Sequence, residues 1–157
     1  MRLLVDTTYL LPLIGVKIRE IPRDFLTYLM DAGHEVVVSQ VSLFELSAKG
    51  AKYVAQGDIS SHRVLDGIRT LLYSGEIEVI NVYDSTILDV ALKIRPLLSD
   101  FIDCLIVSSA MNCCDILVTE DTDVHQLMER GEYKRVQEDL NSDFMIVNRS
   151  YFTSSRA

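Results

Sequence analysis

Long hydrophobic runs are missing from this chain: nowhere do about 18 apolar residues follow one another, so no membrane span is expected. The apolar N-terminus is broken by Asp6, and neither a basic leading segment nor a small-residue cleavage site accompanies it, which argues against a signal peptide. Cysteine is scarce as well. Three thiols, two of them adjacent at Cys113 and Cys114, cannot build a disulfide framework and have neither the number nor the spacing of a zinc site. They read as reduced core thiols of a soluble, cytoplasmic protein. Positive charge is in deficit too, with 15 Lys and Arg against 23 Asp and Glu and a net charge of −8. Binding to a phosphate backbone normally relies on clustered Lys and Arg, so a generic nucleic-acid binder is disfavoured. A nuclease is not, because carboxylates gathered to hold divalent cations add negative charge themselves and a partner can bring basic surface. Blocks of like charge, internal repeats and low-complexity stretches are absent, which leaves no case for a linker or long disordered tail. Only residues 153–157 read as loose.

What is present suits one compact domain, since 157 residues with 48% apolar content can bury a real core. Residues 2–5 and the β-branched run Val36-Val37-Val38 read as buried strands. Between them the apolar positions of 10–14, and then Phe25, Leu26, Leu29 and Met30, recur at helical spacing up to a stop at Gly33. Helices are expected over 41–56 and 60–72, a third strand over 77–82, a helix from Asp84 or Ser85 to about 98, and another from Ser99-Asp100 to about 110. A short strand at 116–118, a helix containing Val124, Leu127 and Met128, and a last strand at 144–147 complete the pattern. Strands alternating with helices predict a single-domain, three-layer α/β/α fold with a mostly parallel central sheet of four or five strands. Such sheets bind ligands at the carboxyl ends of their strands.

Acids recur at those ends. Asp6 closes the first strand; read alone, it is an N-cap more readily than a ligand. Glu45, in Ser42-Leu43-Phe44-Glu45-Leu46, lies in the first turns of the helix after the second strand, where a solvated face would explain it as well as a site. Asp103 sits within the apolar run Phe101-Ile102-Asp103-Cys104-Leu105-Ile106-Val107, and a carboxylate there is costly unless a cation or several donors compensate it. A favourable charge at a helix start would be supplied equally well by Asp100. Asp121 and Asp123 lie between a strand and a helix, where one can cap and the other coordinate. Four converging carboxylates would repel by roughly 3 kcal/mol per pair at about 5 Å and an effective dielectric of about 20, so they must bind a proton or a cation. An all-oxygen set favours Mg²⁺ or Mn²⁺ over zinc.

The ordered set Leu4-Val5-Asp6-Thr7-Thr8-Tyr9-Leu10, Ser42-Leu43-Phe44-Glu45-Leu46, Asp103-Cys104-Leu105-Ile106-Val107-Ser108-Ser109-Ala110 and Leu117-Val118-Thr119-Glu120-Asp121-Thr122-Asp123 resembles the PIN-domain family, including the VapC-type toxin ribonucleases. It runs from residue 2 to about 147, making 1–150 a PIN-like nuclease domain and 151–157 a short C-terminal tail. The resemblance implies a metal-dependent endoribonuclease, with Asp6, Glu45, Asp103 and Asp121 as an acidic quartet, Thr119 supporting the site and Asp123 an auxiliary metal ligand. It implies an RNA substrate, a homodimer and an antitoxin partner. The aromatic residue common after the final acids is replaced by Val124-His125, which leaves Asp121 and Asp123 both open as the last ligand.

Two further readings stand beside this one. An aspartyl-phosphate enzyme would also place Asp6 at a strand end, but Thr8 occupies the position where a second Asp is wanted. A PIN-like RNA-binding or assembly module would need no complete metal site. Lys49 and Lys52 read first as an i,i+4 partner of Glu45 and a solvated face, and only second as phosphate contacts. His34, His62 and His125 are scattered and support no general base, and the apolar positions between 41 and 73 serve as core or as interface.

Overall fold

The computed structural model describes residues 1–153. Its centre is a five-stranded, wholly parallel sheet built from β1 (Arg2–Val5), β2 (Glu35–Ser39), β3 (Glu78–Ile80), β4 (Ile116–Val118) and β5 (Met145–Val147), in the order β3-β2-β1-β4-β5. The central pairings join Leu3 to Val36 and Ile116, and Leu4 to Val37 and Leu117. Side chains alternate across the pleat, so both faces of the apolar central strands must be covered. Leu4, Val37, Leu117 and Ile146 face one core with α4 (Ser85–Ile94), α5 (Phe101–Cys113) and α7 (Gly131–Leu140). Leu3, Val5, Val36, Val38, Ile116 and Val118 face the other, with α1 (Phe25–Asp31), α2 (Gln40–Ala55), α3 (Ser61–Tyr73) and the turn following β1. This is the expected three-layer architecture with the higher of the two strand counts.

The turn after β1 matters most for function. Residues Thr7–Ile14 form a 3-10 helix containing Pro12, which ends at Gly15 with φ +93°. Tight winding suits a segment that must leave the sheet edge and cross it closely. Gly67 of α3 permits that approach, because a Cβ there would lie 2.5 Å from the backbone oxygen of Leu13. Parallel topology then brings several chain segments to one edge: β1 ends before Asp6, β2 before the helix that holds Glu45, and β4 before Thr119. Helices that lead into parallel strands run the opposite way, so α5 begins at this same edge and carries Asp103 in its first turn.

Elsewhere the boundaries shift by a few residues. The expected third strand shortens to Glu78–Ile80, and the helix expected to reach about 98 gives way to a 3-10 turn at Arg95–Leu97. Helix α7 lies in a segment with no sequence assignment, its polar face masking a buried Tyr133. Residues 151–153 open the expected C-terminal tail, and of them only 153 reads as loose from the sequence. They belong to α8 (Ser150–Thr153), where Phe152 is buried against Phe25 and His34 and its backbone oxygen accepts from the Tyr28 hydroxyl at 3.0 Å. Residues 154–157 of the expected tail lie outside the described residues. Cys104 and Cys114 are buried free thiols, as expected of core cysteines, and Cys113 is half-buried. No described helix is long and apolar enough to cross a membrane.

Candidate active site at the carboxyl edge of the sheet

Asp6 continues the ladder of β1, its backbone N–H donating to the Val118 oxygen at 3.0 Å. Its carboxylate is held at both oxygens. The backbone N–H of Thr7 donates to Oδ1 at 2.6 Å, capping the turn, and the Thr119 hydroxyl donates to Oδ2 at 2.8 Å. Capping and site-building are therefore roles of the same side chain rather than alternatives. Burial raises the Asp6 pKa, Glu45 adds to the rise, and the two hydrogen bonds with Lys49 oppose it.

Glu45 is tied to Asp6 through Thr7, whose hydroxyl donates to Glu45 Oε2 at 2.5 Å while Lys49 Nζ lies 2.9 Å from Oε1. Lys49 thus takes the i,i+4 partnership that helical spacing suggested. Lys52 is exposed. Thr7 is only 1% exposed, so its hydroxyl is committed to this contact rather than to solvent. Its place in the site is absent from the sequence reading, and its one signal there is adjacency to Asp6.

Asp103 has no such support. Asp100 caps α5 by accepting from the Ile102 N–H at 2.8 Å, which removes helix capping as an explanation for Asp103. The half-buried Asp103 carboxyl receives no hydrogen bond and forms no ion pair among the described residues. Its pKa is pushed up to about 7, first by burial and then by the negative charges of Asp100, Asp121, Asp6 and Glu45. The four expected acids therefore share one electrostatic environment, with Asp100 as a fifth.

Thr119 knits the last segment to the first. Its hydroxyl donates to Asp6 and accepts the Asp121 N–H at 3.1 Å, and its backbone oxygen lies 2.9 Å from His125 Nε2. Asp121 caps α6 (Thr122–Gln126), its Oδ1 accepting from the N–H groups of Asp123 at 2.7 Å and Val124 at 3.1 Å. Among the described residues, Oδ2 of Asp121 has no hydrogen-bond partner. Asp123 is exposed. It borders a separate cleft of about 210 Å³, together with Gln126 and Arg130.

Among the described residues, no three Asp, Glu, His or Cys side chains are placed to hold a metal ion by direct contact. The donor chemistry nonetheless fits a hard dication. Every acid is an oxygen ligand, Asp103 lacks any donor to offset its charge, and Lys49 is the one described cation in an ion pair with the quartet. Mg²⁺ keeps several of its waters and is held through one or two carboxylates, with the remaining acids reached through water.

A parallel α/β sheet with a cluster of carboxylates gathered at its carboxyl edge defines the class of this molecule. The PIN domain family model matches residues 3–129, and the chain belongs to that family. Among solved structures, it is similar to VapBC2 from Rickettsia felis bound to a DNA fragment from its promoter, with TM-score 0.59 and 15% identity over 94% of this chain and 98% of that one. It is also similar to FitAcB from Neisseria gonorrhoeae, with TM-score 0.48 and 16% identity over 93% of this chain and 96% of that one. At 15% identity the first likeness shows the fold. No curated protein sequence matches the chain.

Proposed function

We propose that this protein is a cytoplasmic Mg²⁺- or Mn²⁺-dependent endoribonuclease, the toxin of a toxin-antitoxin pair. The observation that carries the reading is Asp103, a half-buried acid with no protein donor whose pKa is pushed up to about 7 by its acidic neighbours. A cluster of this kind is relieved by a cation, and proteins use such clusters to bring a dication against a phosphate.

Bound at this edge, the ion supplies charge neutralisation of the scissile phosphate and a water of lowered pKa. Asp103 and Asp121 would hold it most directly, each with an oxygen free of hydrogen bonds. Asp6 and Glu45, already engaged by threonine hydroxyls, would orient water molecules around it. Thr119 and Thr7 hold the two acids by hydrogen bonds, and Lys49 pairs with Glu45. Water is the nucleophile, so no side chain need form a bond to phosphorus.

The partner side of the proposal is a second copy of the chain and a small antitoxin, as the resemblance to VapC-type toxins implies. Leu46, Val64 and Leu71 of α2 and α3 are buried, which satisfies the core reading of those helices. Phe44, Leu65, Leu72 and Tyr73 are exposed and are the positions left for an interface.

The test is cleavage of end-labelled single-stranded RNA with Mn²⁺ or Mg²⁺ against chelator. Metal-dependent cuts are expected from the wild type, falling by about 100-fold or more in Asp103→Asn, beyond the loss typical of outer-shell changes. RNA affinity should survive in that variant. Tight RNA binding with no cleavage by the wild type would instead support a binding or assembly module.

A further inference from the structure

We propose that the cleft beside the acids is a base-reading subsite for an unpaired guanine next to the scissile phosphate, an inference that rests on the ribonuclease reading above. The cleft lies between the turn at 97–99, which leads into α5 and Asp103, and α6, which Asp121 caps. Its two walls are therefore the segments that deliver two of the four acids. At about 210 Å³ it is smaller than the usual pocket for a drug-sized ligand and suits one nucleobase.

The lining has the character of a base site rather than an ion site. Half-buried Leu97 supplies the small apolar part of the lining, over the nearly covered Leu98 and Leu127. Ser99, Asp123, Gln126 and Arg130 surround it with a hydroxyl, a carboxylate, an amide and a guanidinium. None of these four side chains makes a hydrogen bond or an ion pair among the described residues, so all are available to a ligand. Asp123 opposes a phosphate in the cleft, and Arg130 opposes a metal ion. The wall is also fixed from behind, because Arg95 Nη1 donates to the Leu98 oxygen at 2.6 Å.

Guanine satisfies this mixture best. Its O6 and N7 accept from an arginine fork, and its N1–H and exocyclic amine together offer two donors to one carboxylate. Adenine would set the N1 lone pair against Asp123 and has no amine at C2. Cytosine and uracil each offer fewer donors to a carboxylate. Both edges of guanine are accessible together only when the base is unpaired, the state in which RNA bases are read most specifically.

Two measurements separate this inference from the nuclease reading. In the first, ¹⁵N-labelled protein without metal is titrated with guanosine, adenosine, cytidine and uridine. Guanosine should shift the amides of 97–99 and 123–130 with an affinity about fivefold or more above the other nucleosides, the lower end of what one bidentate base contact supplies. The selectivity should vanish in Arg130→Ala and shrink in Asp123→Asn, with unchanged dispersion elsewhere in the spectra reporting an intact fold. In the second, a randomised single-stranded RNA pool is cut in Mn²⁺ and the ends are sequenced, with guanine expected at one fixed distance from the cut. Guanosine binding without RNA cleavage would leave the cleft standing and overturn the nuclease reading. Cleavage with no base preference, or equal shifts from all four nucleosides, would overturn the guanine subsite alone. No nucleoside binding together with no cleavage would overturn both.

Discussion

Replacing Asp103 with asparagine should stabilise the metal-free protein at neutral pH, although the residue belongs to the proposed active site. The carboxyl titrates at about 7 in the fold, raised from 3.8. A group whose folded pKa is raised favours the folded state when protonated. Its favourable contribution is therefore complete below about 3.8 and is lost as pH rises through about 7. Fully expressed, that displacement would correspond to about 4 kcal/mol at 1.36 kcal/mol per pKa unit. Because the carboxyl is half-buried, solvent screening reduces the expected effect to about 1–2 kcal/mol. In a chain of this length each kcal/mol moves the melting temperature by about 2–4 °C. Asp103→Asn in chelator should therefore melt several degrees above wild type at pH 7.5, with the gap closing toward pH 4. Millimolar Mn²⁺ should reverse the order. The wild type gains about 2.7 kcal/mol at a hundredfold excess of metal over its dissociation constant, and the variant gains little. Thermal denaturation of both proteins at pH 5 and 7.5, with metal and with chelator, measures all four comparisons. A variant less stable than wild type at pH 7.5 in chelator would refute the claim that an uncompensated carboxylate strains this edge.

Proton and metal compete for Asp103, so Mn²⁺ affinity measured by calorimetry should climb with pH up to about 7 and level off above it. Thr119→Val removes the donor to Asp6 and the acceptor of the Asp121 N–H, and should lower metal affinity by about 10- to 100-fold, with recovery in Thr119→Ser. Glu45→Gln should cost less metal affinity than Asp103→Asn, because Glu45 is already held by Thr7 and Lys49; equal losses in calorimetry would count against that ranking. Gly67→Ala forces a Cβ against the Leu13 oxygen at 2.5 Å and should destabilise by about 1–3 kcal/mol in urea titration, since neither backbone can yield cheaply.

The layered architecture was legible because its signals are local. Val36-Val37-Val38 could only be a strand covered on both faces, and the apolar stripe of Ile87, Val90, Ala91 and Ile94 is buried in α4 as its spacing requires. Helix α7 escaped because Gly131-Glu132-Tyr133-Lys134-Arg135 shows a mostly polar surface, and its assignment rests on the burial of Tyr133, a tertiary fact. The packing of Phe152 escaped for a related reason: in a short C-terminal tail nothing local shows that one aromatic will meet Phe25 and His34. At the site, Asp6 stood out at a strand end, Asp103 stood out in an apolar run and the resemblance pointed to Thr119, whereas the part played by Thr7 was not legible. Thr7 contacts Glu45 across 38 residues and Thr119 contacts Asp6 across 113, separations that no local spacing rule reaches.

Those long-range hydroxyl contacts also explain why the acids are not equivalent. Asp6 and Glu45 each accept from a buried threonine, and Lys49 neutralises part of the charge on the second. Asp121 spends one oxygen on capping α6. Of the four acids, Asp103 alone, on a helix start already capped by Asp100, has no donor to either oxygen among the described residues, and it meets the repulsion of Asp100, Asp121, Asp6 and Glu45. In the proposed metal site, fixing some carboxylates while leaving one without partners would concentrate the demand for a cation at a single point of the sheet edge. The net charge of −8 follows the same logic: an acidic surface weakens contact with nucleic acid in general, while a dication held at Asp103 would admit a phosphate at that one place.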